Sequence, residues 1–483
     1  MGCRLLFSIL LVCLLVQKCP CEAQPPDRAY LTQDDFVCNY QAVQQNAEMF
    51  KNLEAVEQIL VKQTTPPKYF EATNVPGASP YLYNGFLIRP VYFEGLPYRG
   101  NCTLVFAWLS APLHSKESVP GTVLIHGGGG TALKEWCEKW ATHRMASIAI
   151  GTEGQTDAPG PRAGGYQTTP YPGPTRPGAY ADHALPIRKQ WMFHAVTQSI
   201  LANTLLRAQP HVFADHVGVA GVSWGGVITS TMLTLDYDRL AFAIPGYGCG
   251  SLEKRDSAIG NQMRNYHSTE FYQRIWDPTN RLARLFKLGI DSTRIPPTLW
   301  LSGPHETNFP IEHQRETYDI LLQNGAHVMV TLIPHLGHSH GTIWRRPESY
   351  AFVKSVLKSR QEKLDKMEVP QGAVVKGSPF VTQIDQFVVS DDKSHRHGLA
   401  FKSFIGFKEA TLVYTCQRHD VPLFKKKWFV EPMRKLHNLG CEEDSSCIWL
   451  ASFDAPLNFD RCSWYVNLVT DNDLVVSSTL NYW

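Results

Sequence analysis

Ser223 stands in the run VGVAGVSWGGVI, Val217 to Ile228, with Gly221 two residues before it and Gly225 two residues after. A β-branched apolar run leads in and a small-residue helix start leads out, the pattern of a serine held on a sharp strand-to-helix turn. Such a turn forces the serine backbone into a strained geometry, and glycine at the flanking positions leaves room for it. The chemistry is nucleophilic. The hydroxyl sits at a helix N-terminus, and the partial positive charge there and the Trp224 N–H face the place where an oxyanion would form.

A second run supplies the complement. Thr122-Val123-Leu124-Ile125 reads as a buried strand, and it passes directly into His126-Gly127-Gly128-Gly129-Gly130. Consecutive glycines cost ordering entropy, so they mark a backbone that must approach another group closely and present an N–H. Gly127, Gly128 and Gly129 are therefore the candidates for a second oxyanion donor.

A serine nucleophile on this kind of turn needs an acid and then a histidine, each on a loop after a later strand. Glu306 lies just past the expected strand Thr298–Leu301, and His338 just past the expected strand His327–Ile333. In that arrangement His338 takes the hydroxyl proton while Glu306 holds the imidazole in the needed tautomer. The loop Pro334-His335-Leu336-Gly337-His338-Ser339-His340 offers His340 as an alternative base, and a structural or metal-binding cluster as a third reading. Zinc would want carboxylate or cysteine partners at close spacing, and none stands nearby in the sequence. Glu312 and Glu316 fall on the next helix, and Asp236 and Asp238 follow the elbow helix, so none of them suits the acid. The chemistry calls for no cofactor and no metal.

The elements that must position these groups alternate. From 122 to 363 strands and helices succeed one another, which argues an α/β unit with a mostly parallel sheet and helices on both faces. Residues 81–368 form the expected catalytic domain, with the polar helical stretch 251–290 in the place of a cap. Residues 24–80 read as an N-terminal helical extension, their apolar residues near helical spacing up to about Lys62. A turn is expected at Glu94-Gly95-Leu96-Pro97, and the Gly- and Pro-dense stretch 160–180 as an irregular loop. After Pro370 short strand-like runs take over, so 371–483 reads as an all-β, sandwich-like domain.

Composition narrows the partners. At 483 residues several domains are expected, and 46 Lys and Arg against 44 Asp and Glu leave a formal charge of +2, too little to steer the chain to nucleic acid or an anionic membrane. Residues 1–23 read as a signal peptide: Arg4, the apolar stretch Leu5–Val16, and a small-residue cleavage site at Cys21-Glu22-Ala23. That apolar stretch is shorter than the roughly 20 residues of a membrane span, so the protein is expected to be secreted. Of twelve cysteines four lie in the signal segment. The even remainder (Cys38, Cys102, Cys137, Cys249, Cys416, Cys441, Cys447, Cys462) favours disulfides, the last four pairing among themselves. Asn101-Cys102-Thr103 is a glycosylation sequon.

At this point a resemblance is plain. The segments from His126 to Ala132, Gly221 to Gly226, Tyr247-Gly248-Cys249-Gly250, Leu299 to Gly303 and Asn308-Phe309-Pro310 resemble the acetyl xylan esterase branch of the α/β-hydrolases. That branch is similar in turn to the dienelactone hydrolases, whose nucleophile is cysteine, so Ser223 points to the esterase side. The resemblance covers residues 85–365 and implies a secreted serine carboxylic-ester hydrolase that removes small acyl groups, such as acetyl, from carbohydrate such as xylan. Its partner would be a small-molecule or polysaccharide ester. In the family pattern the acid after Gly303 is usually aspartate, and here Glu306 stands in its place. Two other readings follow from the same residues. One is a serine peptidase of the prolyl-oligopeptidase kind, for whose N-terminal propeller residues 24–120 are too few. The other is a catalytically silent hydrolase-fold protein serving binding or adhesion.

Overall fold

A computed structural model of the chain describes residues 63–365 and 380–481, with breaks at 255, 392–393, 419, 434, 443–445 and 455–458. The expected signal peptide and residues 24–62 of the expected helical extension lie outside the described residues. The part of that extension that is described is extended rather than helical. β1 (Tyr69–Glu71) and β2 (Tyr81–Tyr83) each pair antiparallel with β3 (Phe86–Tyr98). Pro66-Pro67 lack the N–H groups a helix would need, so no helix runs through them.

β3 turns back into β4 (Asn101–Pro112) later than expected. Tyr98 pairs with Asn101, and Arg99 and Gly100 take positive φ of 50° and 83°. That is the two-residue turn whose twist suits a hairpin, whereas Glu94 and Gly95 stay in the ladder opposite Leu104 and Thr103. A register shift between Gly95 and Tyr98 absorbs Pro97.

β5 (Val119–Ile125), β6 (Ala146–Ile150), β9 (Val212–Val222), β10 (Ala243–Gly246), β11 (Thr298–Ser302) and β12 (Val328–Leu332) form the parallel part, in the order β6-β5-β9-β10-β11-β12. Between β6 and β9 a small ribbon pairs β7 (Gln155–Pro159) with β8 (Tyr166–Thr168), so the stretch 160–180, expected as an irregular loop, contains one strand of a hairpin. From β5 the chain steps to one side, through α1 (Lys134–Thr142) to β6. It then steps back across β5, through α2 (Trp191–Arg207), to β9. Crossovers in parallel sheets are right-handed, so reversing the direction puts α1 and α2 on opposite faces. α3 (Trp224–Leu235) packs beside α2, while Trp140 of α1 meets Tyr350 of α9 (Pro347–Asp365) at 4.8 Å on the other face. The strand order reverses at β5, and the crevice beyond the carboxyl ends of β5 and β9 is where such sheets hold their ligands.

Residues 251–290, expected as a cap, hold three short helices: α4 (Ala258–Asn265), α5 (Thr269–Ile275) and α6 (Pro278–Lys287). α6 packs on α3 and on α7 (Ile311–Gln323), and Tyr272 of α5 meets Tyr180 at 5.0 Å. α8 (His340–Trp344) follows β12.

The C-terminal strands form two sheets around a shared core of Leu399, Phe401, Leu412, Phe453, Trp464 and Val466. One sheet is β13 (Val381–Asp391), β14 (Ser394–Ser403), β18 (Cys447–Asp454) and β17 (Lys435–Cys441), all antiparallel. The other, β20 (Val475–Ser477), β19 (Ser463–Thr470), β15 (Phe407–Thr415) and β16 (Phe429–Pro432), continues the central sheet, because β20 pairs antiparallel with β12 at Val330 and Ser477. The last four cysteines do pair among themselves, Cys416 with Cys462 and Cys441 with Cys447, and Cys102 is also disulfide-bonded. Cys137 and Cys249 are free thiols buried in the core. The parity argument failed for these two because a buried thiol packs as a small hydrophobe. Among the described residues no helix is long and apolar enough to cross a membrane.

Candidate active site

Ser223 sits between β9 and α3 with φ 60° and ψ −119°, a conformation L-residues seldom adopt. Two backbone hydrogen bonds hold it there: its N–H donates to the Gly246 carbonyl at 2.8 Å, and its carbonyl accepts the Val227 N–H at 3.0 Å. The flanking glycines are steric necessities. A Cβ on Gly221 would lie 2.1 Å from the Gly225 carbonyl oxygen and 2.5 Å from Thr229 Oγ1.

The sheet then brings two distant loops to the serine. His338, past β12, places Nε2 3.0 Å from Ser223 Oγ, and its Nδ1 lies 2.6 Å from Glu306 Oε2. An ionised carboxylate only accepts, so Nδ1 carries the proton and Nε2 is left to accept from the serine hydroxyl. Glu306 is itself fixed, because its Oε1 accepts the N–H groups of Asn308 at 2.7 Å and Phe309 at 3.2 Å. Its side chain is 1% exposed against 31% for His338, so the carboxylate is dry while the imidazole reaches the crevice. The ring of His338 lies between Tyr247, stacked at 4.7 Å, and Phe309, stacked at 6.3 Å. The Tyr247 hydroxyl donates to the Gly337 carbonyl, which ties the histidine loop to the end of β10.

His340 belongs to a different partner. Its Nε2 accepts the Gly127 N–H at 2.7 Å. Burial, then the neighbouring His126 and His338, push its pKa down to about 4, so it stays neutral. The three-histidine loop thus divides: His338 turns to the serine and His340 to the glycine run after β5.

Each N–H of that run can be followed. Gly129 donates to Glu153 Oε1 at 3.0 Å, and Gly130 donates to the Gly127 carbonyl at 3.0 Å. His126 is buried, and Thr152 N–H donates to its Nε2 at 3.0 Å, so its Nδ1–H donates to the Gly127 carbonyl at 2.6 Å. Burial also lowers the His126 pKa to about 4. With the Gly127 carbonyl held from two sides, the planar trans peptide sends the Gly128 N–H the opposite way. Among the described residues Gly128 N–H has no protein partner, and neither does the Trp224 N–H in the first turn of α3.

Arg176, in the Gly- and Pro-dense loop, closes this edge. Its Nε pairs with Glu153 Oε1 at 2.9 Å, and its guanidinium lies over the rings of Trp224 at 5.5 Å and Trp191 at 5.9 Å. A Cβ on Gly128 would lie 2.6 Å from Arg176 Nη2 and 2.7 Å from Trp224 Cδ1, which explains why that position is glycine. Neither Arg176 nor Glu153 has a signature in the sequence, since a salt bridge across a Gly- and Pro-rich stretch leaves no periodic signal. Tyr247 and Phe309 lay inside motifs that were noted, without a role.

A strained serine between strand and helix sits at the reversal of a parallel sheet, with an acid and a histidine on the loops after later strands. The chain has the α/β-hydrolase fold. The sequence pattern of the prolyl oligopeptidase family matches residues 181–360, from the loop before α2 into α9 of that fold. Among solved structures, acetyl xylan esterase 1 from Thermoanaerobacterium sp. JW/SL YS485 aligns at 16% identity with a TM-score of 0.47, over 64% of this chain and 93% of that one. The acetyl xylan esterase from Paenibacillus sp. R4 aligns at 19% identity and 0.43, over 66% and 93%. The Pyrococcus horikoshii acylaminoacyl peptidase aligns at 18% identity and 0.41, over 55% of this chain and 41% of that one. No curated protein matches the chain.

Proposed function

We propose that the protein is a serine hydrolase acting on carboxylic esters, with Ser223 as nucleophile, His338 as general base and acid, and Glu306 as the orienting carboxylate. The hydrogen-bonded series Glu306–His338–Ser223, at 2.6 and 3.0 Å, carries this reading. His338 Nε2 accepts the proton as Ser223 Oγ attacks the ester carbonyl, and the imidazolium that forms is stabilised by the dry Glu306 carboxylate. The N–H groups of Trp224 and Gly128 hydrogen-bond the oxyanion of the tetrahedral intermediate. His338 then gives the proton to the leaving alcohol, leaving an acyl-serine, and activates water for its hydrolysis. Of the three glycines considered for the second donor, Gly128 is favoured because the N–H groups of Gly127 and Gly129 are already spent on His340 and Glu153.

Small acyl groups such as acetyl, carried on carbohydrate, are the substrate class that the sequence resemblance supports. Secretion is supported by the signal-like residues 1–23 and by the disulfides in the C-terminal strands. The same triad would serve a peptidase, and the match of residues 181–360 to the prolyl oligopeptidase family favours that second reading.

The test is turnover of p-nitrophenyl acetate beside an aminoacyl-naphthylamide, with Ser223→Ala as the control. Loss of nearly all acetate turnover in the variant is the expected result, and wild-type-like turnover would remove Ser223 from the reaction. Cleavage of the naphthylamide without the acetate would replace the esterase reading by the peptidase one.

A further inference from the structure

The glycine run after β5 is gripped by a side chain that plays no part in the proton path. Gly127 joins two peptide units, and glycine has more backbone freedom to lose than any other residue. The carbonyl of the second unit is held by His126 Nδ1–H at 2.6 Å and by the Gly130 N–H at 3.0 Å. The N–H of the first unit is held by His340 Nε2 at 2.7 Å, across 213 positions of sequence. The imidazole of His340 fills the inside of the bend: its Nε2 would be 3.3 Å from a Cβ on Gly127 and 3.2 Å from one on Gly130. Only an unprotonated Nε2 accepts an N–H, and the burial of His340 keeps it unprotonated, with a pKa of about 4.

We infer that His340 is a positioning residue for the oxyanion hole: by accepting the Gly127 N–H it fixes the first peptide plane, as His126 fixes the second, so that Gly128 N–H meets the oxyanion already aimed. The value of such a donor lies in its being oriented before charge develops. A loop free to rotate about Gly127 would have to be ordered during the reaction, and the transition state would bear that cost while substrate binding would not. His340 is thereby a partner of the oxyanion donor, and not the second base that its place two residues after His338 suggests.

The inference rests on the proposed role of Ser223, and its test separates the two. Turnover of p-nitrophenyl acetate is compared with that of the corresponding thionoester, whose sulfur is a poor acceptor and gains little from the hole. His340→Ala and His340→Leu remove the acceptor, the second while filling the space; His340→Gln keeps a carbonyl oxygen that can take the Gly127 N–H. The expected result is a tenfold or greater fall in kcat for the oxygen ester with KM little changed, a much smaller fall for the thionoester, and recovery of most of the oxygen-to-sulfur ratio in His340→Gln. If His340→Ala does not fold, the comparison of Leu with Gln carries the same reading. An equal fall on both esters, an unmoved ratio, or a rise in activity would each overturn the positioning role, the last by making His340 a plug. Loss of fluorophosphonate labelling at Ser223 in His340→Gln would overturn it in favour of a base. Failure of the wild-type protein to turn over either ester would overturn the reading of Ser223 on which it stands.

Discussion

A Cβ on Gly225 would lie 2.1 Å from the carbonyl oxygen of Ile125. The elbow helix and the strand that carries the glycine run are thus in backbone contact, with no side chain between them. This contact sets how closely the Trp224 N–H and the Gly128 N–H approach one another. Gly225→Ala must push α3 away from β5. The expected cost is about 1–3 kcal/mol of stability, the range for overpacking a tight contact, and under the proposed function a large loss of turnover. Urea unfolding and p-nitrophenyl acetate turnover measure the two; full activity in this variant would show that the gap between elbow and loop does not matter.

Glu306 receives His338 Nδ1–H on one oxygen and two backbone N–H groups on the other. In Glu306→Gln the amide presents a donor where only an acceptor is useful, which favours the wrong imidazole tautomer. The expected fall in kcat is about 10³- to 10⁴-fold, in line with the effect of an amide in the acid position of other triads. Glu306→Asp keeps the charge but withdraws it by one methylene, and should lose less. The order wild type, Asp, Gln in kcat is the prediction, and equal rates for all three would detach Glu306 from the triad.

Stability should fall as the solution is acidified, and one buried histidine makes a clean probe. His194 on α2 lies outside the site, its Nε2 2.8 Å from the Arg188 carbonyl, and burial lowers its pKa from 6.5 to about 4. The folded state therefore resists a proton that the unfolded state takes up. The stabilisation is whole above pH 6.5 and is lost as the pH falls toward 4. His194→Gln removes this dependence. The stability advantage of wild type over the variant should shrink by about 3 kcal/mol between those limits. Unfolding curves of both proteins across the window test it, and a difference that does not change with pH refutes it.

The central sheet does not end at β12. Ser477 Oγ accepts the Leu332 N–H at 2.8 Å, Asn467 Nδ2 donates to the Leu332 carbonyl at 3.0 Å, and Glu348 Oε1 accepts the Val475 N–H at 3.1 Å. A chain ending at Asp365 would leave β12, buried along its whole length, as a bare apolar edge. Such a truncation is expected to aggregate rather than to yield a small active hydrolase. Glu348→Ala is the mild version. It breaks the paired contact with Arg346 and the link to Val475, and should cost about 2–3 kcal/mol, somewhat less than a fully dry pair because Arg346 is partly exposed. A monomeric, active 1–365 fragment would contradict the coupling.

Much of this was legible along the chain. Ser223 with its two glycines, the apolar strands on either side of β5, and the order serine, glutamate, histidine are patterns written within a dozen residues or in simple succession. Strand Ala146–Ile150 is legible in the sequence, because five consecutive apolar or small residues leave few alternatives. The strands 381–391 and 394–403 were not read, because charged and polar residues interrupt their alternation. The composition of Glu94-Gly95-Leu96-Pro97 points to a hairpin turn there, but pairing with Leu104 and Thr103 holds Glu94 and Gly95 in the ladder and moves the turn to Arg99-Gly100.

The sequence by itself determined the elbow, the class of fold and the three loops that could carry a triad, because steric demands and hydrophobic periodicity act between near neighbours. Tertiary structure decided which of two histidines faces the serine, which glycine N–H is left over, which cysteines stay reduced, and that the C-terminal strands continue the central sheet. Each of those depends on a meeting between groups tens to hundreds of residues apart, such as Gly127 with His340. Such a contact has no local signature, since it is settled by where the sheet puts the ends of its strands.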